Sequence, residues 1–110
     1  MAYKVTKQGD YAVVHLAGDV DLSCAPEARK TILDVILGAQ NTLVDLSQVS
    51  YIDSSGVASL VEGYQTAKKK GLKFGLVGVS EPAMGVLELA RLDKVFPIYA
   101  AVEACLGRKG

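Results

Sequence analysis

The sequence predicts an α/β fold: a mixed, mostly parallel sheet of about five strands, opened by a hairpin and packed by about four helices. Two observations carry this prediction. Short apolar runs of strand length alternate with stretches whose apolar residues recur at helical spacing, the mark of right-handed crossovers in a parallel sheet. Only the first two strand-like runs break that alternation, being separated by the turn signal Gly9-Asp10. A length of 110 residues, half of them hydrophobic, suits one ordinary domain spanning residues 1–110, with no linker or internal repeat.

The elements follow in order. Residues 3–7 alternate in period two, and the more apolar residues 11–17 answer them across the turn, giving the hairpin. Residues 18–23, Gly18-Asp-Val-Asp-Leu-Ser23, read as an acidic loop leaving that strand. Pro26 then fits a first helical turn, Ala28, Ile32, Val35 and Ile36 form a stripe, and Gly38 is a stop. Residues 42–46 are a short apolar strand. Residues 47–54 read as a loop pinned to the core by Val49, Tyr51 and Ile52. A second helix begins around Ser55, buries Val57, Leu60, Val61 and Tyr64, and ends at Gly71. Residues 73–78 form the next strand. Ser80 caps a third helix with Pro82 in its first turn and Ala83, Val86, Leu87 and Ala90 as its stripe. Residues 95–99 are a short strand, placed at an edge by Pro97, and residues 100–106 a closing helix.

Composition narrows the function. A formal charge of zero leaves no long-range field to collect nucleic acid or anionic lipid. The single basic cluster, Lys68-Lys69-Lys70, reads as a solvated last helical turn at the negative end of the helix dipole. Cys24 and Cys105 form no Cys-x-x-Cys or metal-like spacing and read as ordinary thiols. No apolar stretch has the length of a signal peptide core or a membrane span, so the expected location is cytoplasmic, without membrane insertion.

In open α/β sheets, ligands and partners gather at the loops that follow the carboxyl ends of strands. Three such loops are expected here, at residues 18–23, 45–56 and 79–82. The first two carry Asp19, Asp21, Asp45, Asp53, Ser54 and Ser55. In Asp53-Ser54-Ser55-Gly56, an acid or hydroxyl before a helical stripe satisfies orphan amides of the first turn. Gly56 costs up to about 1 kcal/mol in a helix relative to Ala, and its bare backbone would let a partner approach the Ser55 hydroxyl. A helix start tolerates an anion, so a phosphate on Ser55 suits its own helix. Its charge of roughly −1.5 to −2 would oppose a docked partner, which makes the hydroxyl a binary switch. By itself the tetrapeptide reads more readily as a plain helix cap.

The wider context is a resemblance. Gly18-Asp-Val-Asp21 after a strand, then Val44-Asp-Leu-Ser-Gln-Val-Ser-Tyr-Ile-Asp-Ser-Ser-Gly-Val57, resembles the STAS domain of bacterial anti-sigma factor antagonists, from about Tyr3 to Leu106. The resemblance implies a single STAS-type domain and a partner-switching role. The unphosphorylated protein would bind an anti-sigma factor that is also a serine kinase of the GHKL ATPase type, freeing a sigma factor. Phosphorylation of Ser55 would weaken the complex, and a serine phosphatase would reset it. Ser55 matches the family's phosphoacceptor. Asp19, Asp21, Asp53, Ser54 and Gly56 join it as partner-binding positions, Asp21 facing the partner's nucleotide site and Asp53 shaping the turn.

Other readings are weighed against this one. The resemblance also admits an accessory subunit of an ABC transporter for lipids or solutes, and a stressosome-type scaffold; an intact serine pair argues for the antagonist. An enzyme is not expected, because Ser55 lacks a Gly-x-Ser-x-Gly setting and no nucleotide-binding signature is present. His15 reads as a partly buried strand residue and Asp45 as a loop-anchoring carboxylate. Asp19 and Asp21 make an incomplete hard-cation site, so neither metal nor cofactor is expected.

Overall fold

A computed structural model of the chain describes residues 3–106. The hairpin forms from β1 (Lys4–Gln8) and β2 (Tyr11–Val20), paired antiparallel from Lys4↔His15 to Gln8↔Tyr11. Gly9 turns the hairpin at φ +60°, a conformation that only glycine adopts without a Cβ penalty. Then come α1 (Ala25–Leu37), β3 (Asn41–Ile52), α2 (Ser54–Lys69), β4 (Phe74–Val77), α3 (Glu81–Leu89), a 3₁₀ turn (Leu92–Lys94), β5 (Ile98–Tyr99) and α4 (Val102–Leu106). The five strands lie in chain order, β1-β2-β3-β4-β5, and every pair after the hairpin is parallel.

Chain-order strands with crossovers of one hand put α1, α2 and α3 on the same face of the sheet. The packing bears this out. Val14, Leu16, Val44, Leu46, Phe74 and Leu76 face one core with Ile32 and Ile36 of α1, Leu60 of α2 and Leu87 of α3. The alternate residues Val13, Leu43 and Val77 face the other side, where α4 covers them through Val102. Gly63 lets α2 sit close: a Cβ there would lie 2.7 Å from an Ile32 methyl and 3.1 Å from the Phe74 ring.

One expectation is corrected. Residues 18–20 and 47–52, read as loops, are strand. The cause is visible in the register. Between His15↔Asp45 and Ala17↔Gln48, and again between Gly18↔Val49 and Asp19↔Tyr51, β3 holds one residue more than β2. These two bulges space the buried residues Leu46, Val49 and Ile52 three apart instead of two, which hides a strand from a period-two reading. Gly18 bends β2 at the same place with φ +72°. A smaller correction concerns the end of α1: Gly38 follows it with φ −80°, and the left-handed residue is Ala39 at φ +64°. Ser80 caps α3 as expected, its hydroxyl accepting from the Ala83 amide at 3.4 Å. Pro97 precedes the two-residue edge strand β5.

Leu60 is fully buried between α2 and the sheet, whereas Leu89 on α3 is 88% exposed. Leu60→Ala is therefore expected to lower unfolding free energy by about 2–5 kcal/mol, and Leu89→Ala to leave it within about 0.5 kcal/mol. Urea denaturation of both variants checks this; similar losses would contradict the packing.

Candidate functional site

The carboxyl ends of β2 and β3 emerge side by side, paired at Val20↔Ile52, and each leads into a polar turn that starts a helix. The first turn is organised by Asp21. Its Oδ1 accepts from the Ser23 amide at 3.1 Å, the Ser23 hydroxyl at 2.7 Å and the Cys24 amide at 3.3 Å. The bond from the Ser23 hydroxyl is the main reason that the Asp21 carboxyl lies below its ordinary value. Its carbonyl accepts from the amides of Cys24 and Ala25, so Asp21 nucleates α1, where Cys24 offers no side-chain cap.

Asp53 organises the second turn as the N-cap of α2. Oδ1 accepts from the amides of Ser55 at 2.9 Å and Gly56 at 3.2 Å. Oδ2 reaches the other turn and accepts from the Leu22 amide at 3.2 Å. One carboxylate thus fastens the start of α2 to the loop before α1. Leu22 and Tyr51 flank this junction with 74% and 51% of their surfaces exposed. Asp19, also exposed, pairs with Tyr51 across the sheet.

The two serines face different grooves. Neighbours on a helix point about 100° apart. Ser54 lines a groove between α2 and α3 with Val57, Val61, Val86 and Ala90. Ser55 lines a groove of about 340 Å³ between α1 and α2, beside Leu22, Pro26, Arg29, Ser59 and Glu62. The Ser59 hydroxyl stitches that groove's floor, lying 3.3 Å from the carbonyls of Ala25 and Ser55. Farther along, Arg29 grips Glu62 in a two-pronged ion pair, Nε to Oε1 at 2.6 Å and Nη2 to Oε2 at 2.8 Å. This contact raises the Arg29 pKa and holds the Glu62 carboxyl below its usual range.

Gly56 has a different role from the one expected. It is buried, and a Cβ there would lie 2.4 Å from the Val20 carbonyl oxygen and 2.6 Å from an Ile52 side-chain carbon. Its bare backbone faces the sheet ends, not an incoming partner. It lets α2 start directly against the paired strands and so sets the position of Ser55.

Asp45 and His15 lie away from this cluster. Both are on the face opposite α1–α3, as the strand alternation places them. Asp45 sits within β3, not in a loop, and anchors strands. His15 Nδ1 meets Asp45 Oδ2 at 2.9 Å, and His15 Nε2 meets the Thr6 hydroxyl at 2.8 Å, spanning β1, β2 and β3. Burial raises the Asp45 pKa, but bonds from the Ser47 amide and hydroxyl and from His15 outweigh it and leave the carboxyl below its ordinary value. The chain's only histidine is thus engaged elsewhere than at Ser55.

Sequence reasoning missed Leu22, Pro26, Arg29 and Glu62 at the site, and Thr6 on the far face. Ser55, Ser59 and Glu62 follow helical spacing, so a projection of α2 could have found Glu62. Arg29 comes from another helix, and nothing local marks it.

The STAS domain family model matches residues 2–105 of the chain. The anti-sigma-B factor antagonist of Bacillus subtilis is 28% identical over 90 residues, covering 82% of this chain and 83% of that protein. The anti-sigma F factor antagonist of Paenibacillus polymyxa is 26% identical over 89 residues, covering 79% and 76%. Among solved structures, an anti-sigma factor antagonist from Mycobacterium paratuberculosis superposes with a TM-score of 0.87 at 27% identity, covering 96% of this chain and 91% of that one.

Two expectations follow from the geometry. Gly56→Ala gains up to about 1 kcal/mol of helix propensity but overpacks the sheet ends, typically at about 1–3 kcal/mol. Its urea midpoint is expected below that of the wild type, and an unchanged or higher midpoint would refute the close approach. Asp21 and Asp45 titrate below their ordinary values when folded. Their contribution is therefore complete above the unfolded carboxylate pKa, about 3.9, and is lost as pH falls through the lower folded values. Asp45→Asn should flatten that acid loss in a series of denaturation curves from neutral pH downward.

Proposed function

The chain belongs to the STAS domain family, and we propose that it is an anti-sigma factor antagonist switched by phosphorylation of Ser55. One observation carries the reading: Ser55 stands at the mouth of the α1–α2 groove, in a turn whose shape Asp53 fixes and whose position Gly56 sets. The curated relatives named as antagonists support the choice of partner. In this reading the protein is cytoplasmic and is itself no enzyme. Among the described residues, no helix is long and apolar enough to cross a membrane.

The unphosphorylated protein docks an anti-sigma factor at the junction of the two turns, using Asp19, Asp21, Asp53, Ser54 and the exposed Leu22 and Tyr51. Docking releases the sigma factor. The anti-sigma factor acts as a GHKL-type serine kinase and brings ATP and Mg²⁺. The Ser55 oxygen forms a bond to the γ-phosphorus while the bond to the bridging oxygen breaks; ADP departs and a base of the kinase takes the hydroxyl proton. A serine phosphatase reverses the state by transferring the phosphoryl group to water, releasing inorganic phosphate.

Phosphate adds roughly −1.5 to −2 charge next to the Asp53 carboxylate, in a groove that Glu62 also lines. Removing that charge from water in an interface weakens the complex. The Ser55 and Gly56 amides already donate to Asp53, so they are committed to the cap and not to the phosphate.

The test uses lysate of the native cell. Wild type should retain a GHKL-type kinase and accept phosphate from ATP; Ser55→Ala should retain the kinase without accepting phosphate; Ser55→Asp should bind at least about tenfold more weakly. Labelling of Ser55→Ala at Ser54 would move the acceptor to the α2–α3 groove. Recovery of an ABC ATPase regardless of position 55 would replace the reading with the transporter-accessory role.

A further inference from the structure

The groove beside Ser55 contains a cation that already has a partner. Among the described residues lining it, Arg29 is the only positive one, and both of its donor edges in use point at Glu62. A phosphate on Ser55 would enter a space bounded by that ion pair on one side and by the Asp53 cap on the other. The cap's amides are committed. We propose that Arg29 is the internal ligand of the Ser55 phosphate: phosphorylation draws its guanidinium from Glu62 to the phosphate and closes the α1–α2 groove over itself. The proposal rests on Ser55 carrying the phosphate and adds how the protein responds to it.

Geometry and charge favour the exchange. Ser55, Ser59 and Glu62 share one stripe of α2, and Arg29 lies one turn beyond Ala25, the residue whose carbonyl Ser59 contacts. From Ser55 to Glu62 the helix rises about 10.5 Å. Long helical side chains lean toward the amino terminus, so an arginine on α1 leans toward the Ser55 end of the groove. Both helices are crossovers between parallel strands and run in the same direction, which makes that lean point the right way. The guanidinium fork fits a phosphate edge as well as a carboxylate, and a charge near −2 competes well against one of −1. The ion pair is half exposed at both partners, so little holds it against such a competitor. Its loss leaves Glu62 unpaired in the same groove. The phosphorylated surface would then differ in shape as well as in charge, with Arg29 folded over the α1–α2 groove beside the docking junction.

The experiment installs phosphoserine at position 55 by genetic encoding, so that it does not depend on any kinase. Phosphorus NMR titration then compares the phosphorylated wild type with Arg29→Gln, Arg29→Lys and Glu62→Gln, each checked for folding by circular dichroism. The phosphate of the wild type should ionise at least about 1 pH unit below that of Arg29→Gln, the small end of what an adjacent opposite charge produces. Arg29→Lys should recover part of the difference, and Glu62→Gln should keep or enlarge it, because the competitor is gone. Equal titrations in wild type and Arg29→Gln would overturn the proposal while leaving Ser55 as acceptor untouched. Failure of the kinase to label Ser55 would instead strike the proposed function and not this contact.

Discussion

Two oxygens of Asp53 hold three backbone amides, and the geometry of the Ser55 turn depends on that sharing. Oδ1 closes the first turn of α2 through Ser55 and Gly56, while Oδ2 takes the Leu22 amide from a turn 31 residues earlier in the chain. An ordinary N-cap would satisfy only its own helix. Here the spare oxygen couples two helix starts, so the loop before α1 and the serine turn move as one body. Asp21 performs the complementary task, folding its own turn with one carboxylate oxygen and its main-chain carbonyl. Deprive Asp53 of either oxygen and the groove that Ser55 lines loses a wall.

That coupling works because the strands beneath it end together. β2 and β3 run as a long parallel pair past the ends of β1 and β4, and the two bulges in β3 bring Val20 level with Ile52. Gly56 then seats α2 on the Val20 carbonyl with no room for a Cβ. The order of cause runs from register, to the glycine, to the cap, to the hydroxyl. The position of Ser55 is set by packing from below, while its surroundings remain exposed. The proposed switch would draw on that combination, since a yielding support would let an added charge swing into water and relieve its repulsion of a docked partner.

Much of this was legible in the sequence, and the omissions have physical causes. Alternating strands and helical stripes fixed the class, and Ser80, Pro82 and Gly71 marked helix ends through local chemistry. The cap function of Asp53 was also legible, because an acid before a helical stripe meets orphan amides whatever surrounds it. The second half of β3 was not, because burial at Leu46, Val49 and Ile52 follows bulges set by a neighbouring strand. The inward-facing role of Gly56 is hidden for a related reason: the direction of a missing side chain is decided by Val20, 36 residues away. Arg29 and Glu62 are invisible to any local rule, since their contact spans 33 residues and two helices.

The far face of the sheet shows why the working residues gather at one pole. Three helices cover one side, and the short α4 covers the other only near Val13, Leu43 and Val77. The strand centres left beyond it carry Thr6, His15 and Asp45, whose hydrogen bonds tie three strands across the uncovered surface. Polar side chains that satisfy one another make a half-covered sheet tolerable, where apolar ones would form an adhesive patch. The line also resembles a nucleophile-base-acid relay, yet its bonds run along the pleat and across the strands it joins, which suits register control: a one-residue slip of β1 would carry Thr6 to the other face and break it. Register in the hairpin therefore has a polar lock on one face and the apolar core on the other. The strand ends, freed from that task, can carry exposed groups such as Leu22, Tyr51 and Asp19 without cost to the fold.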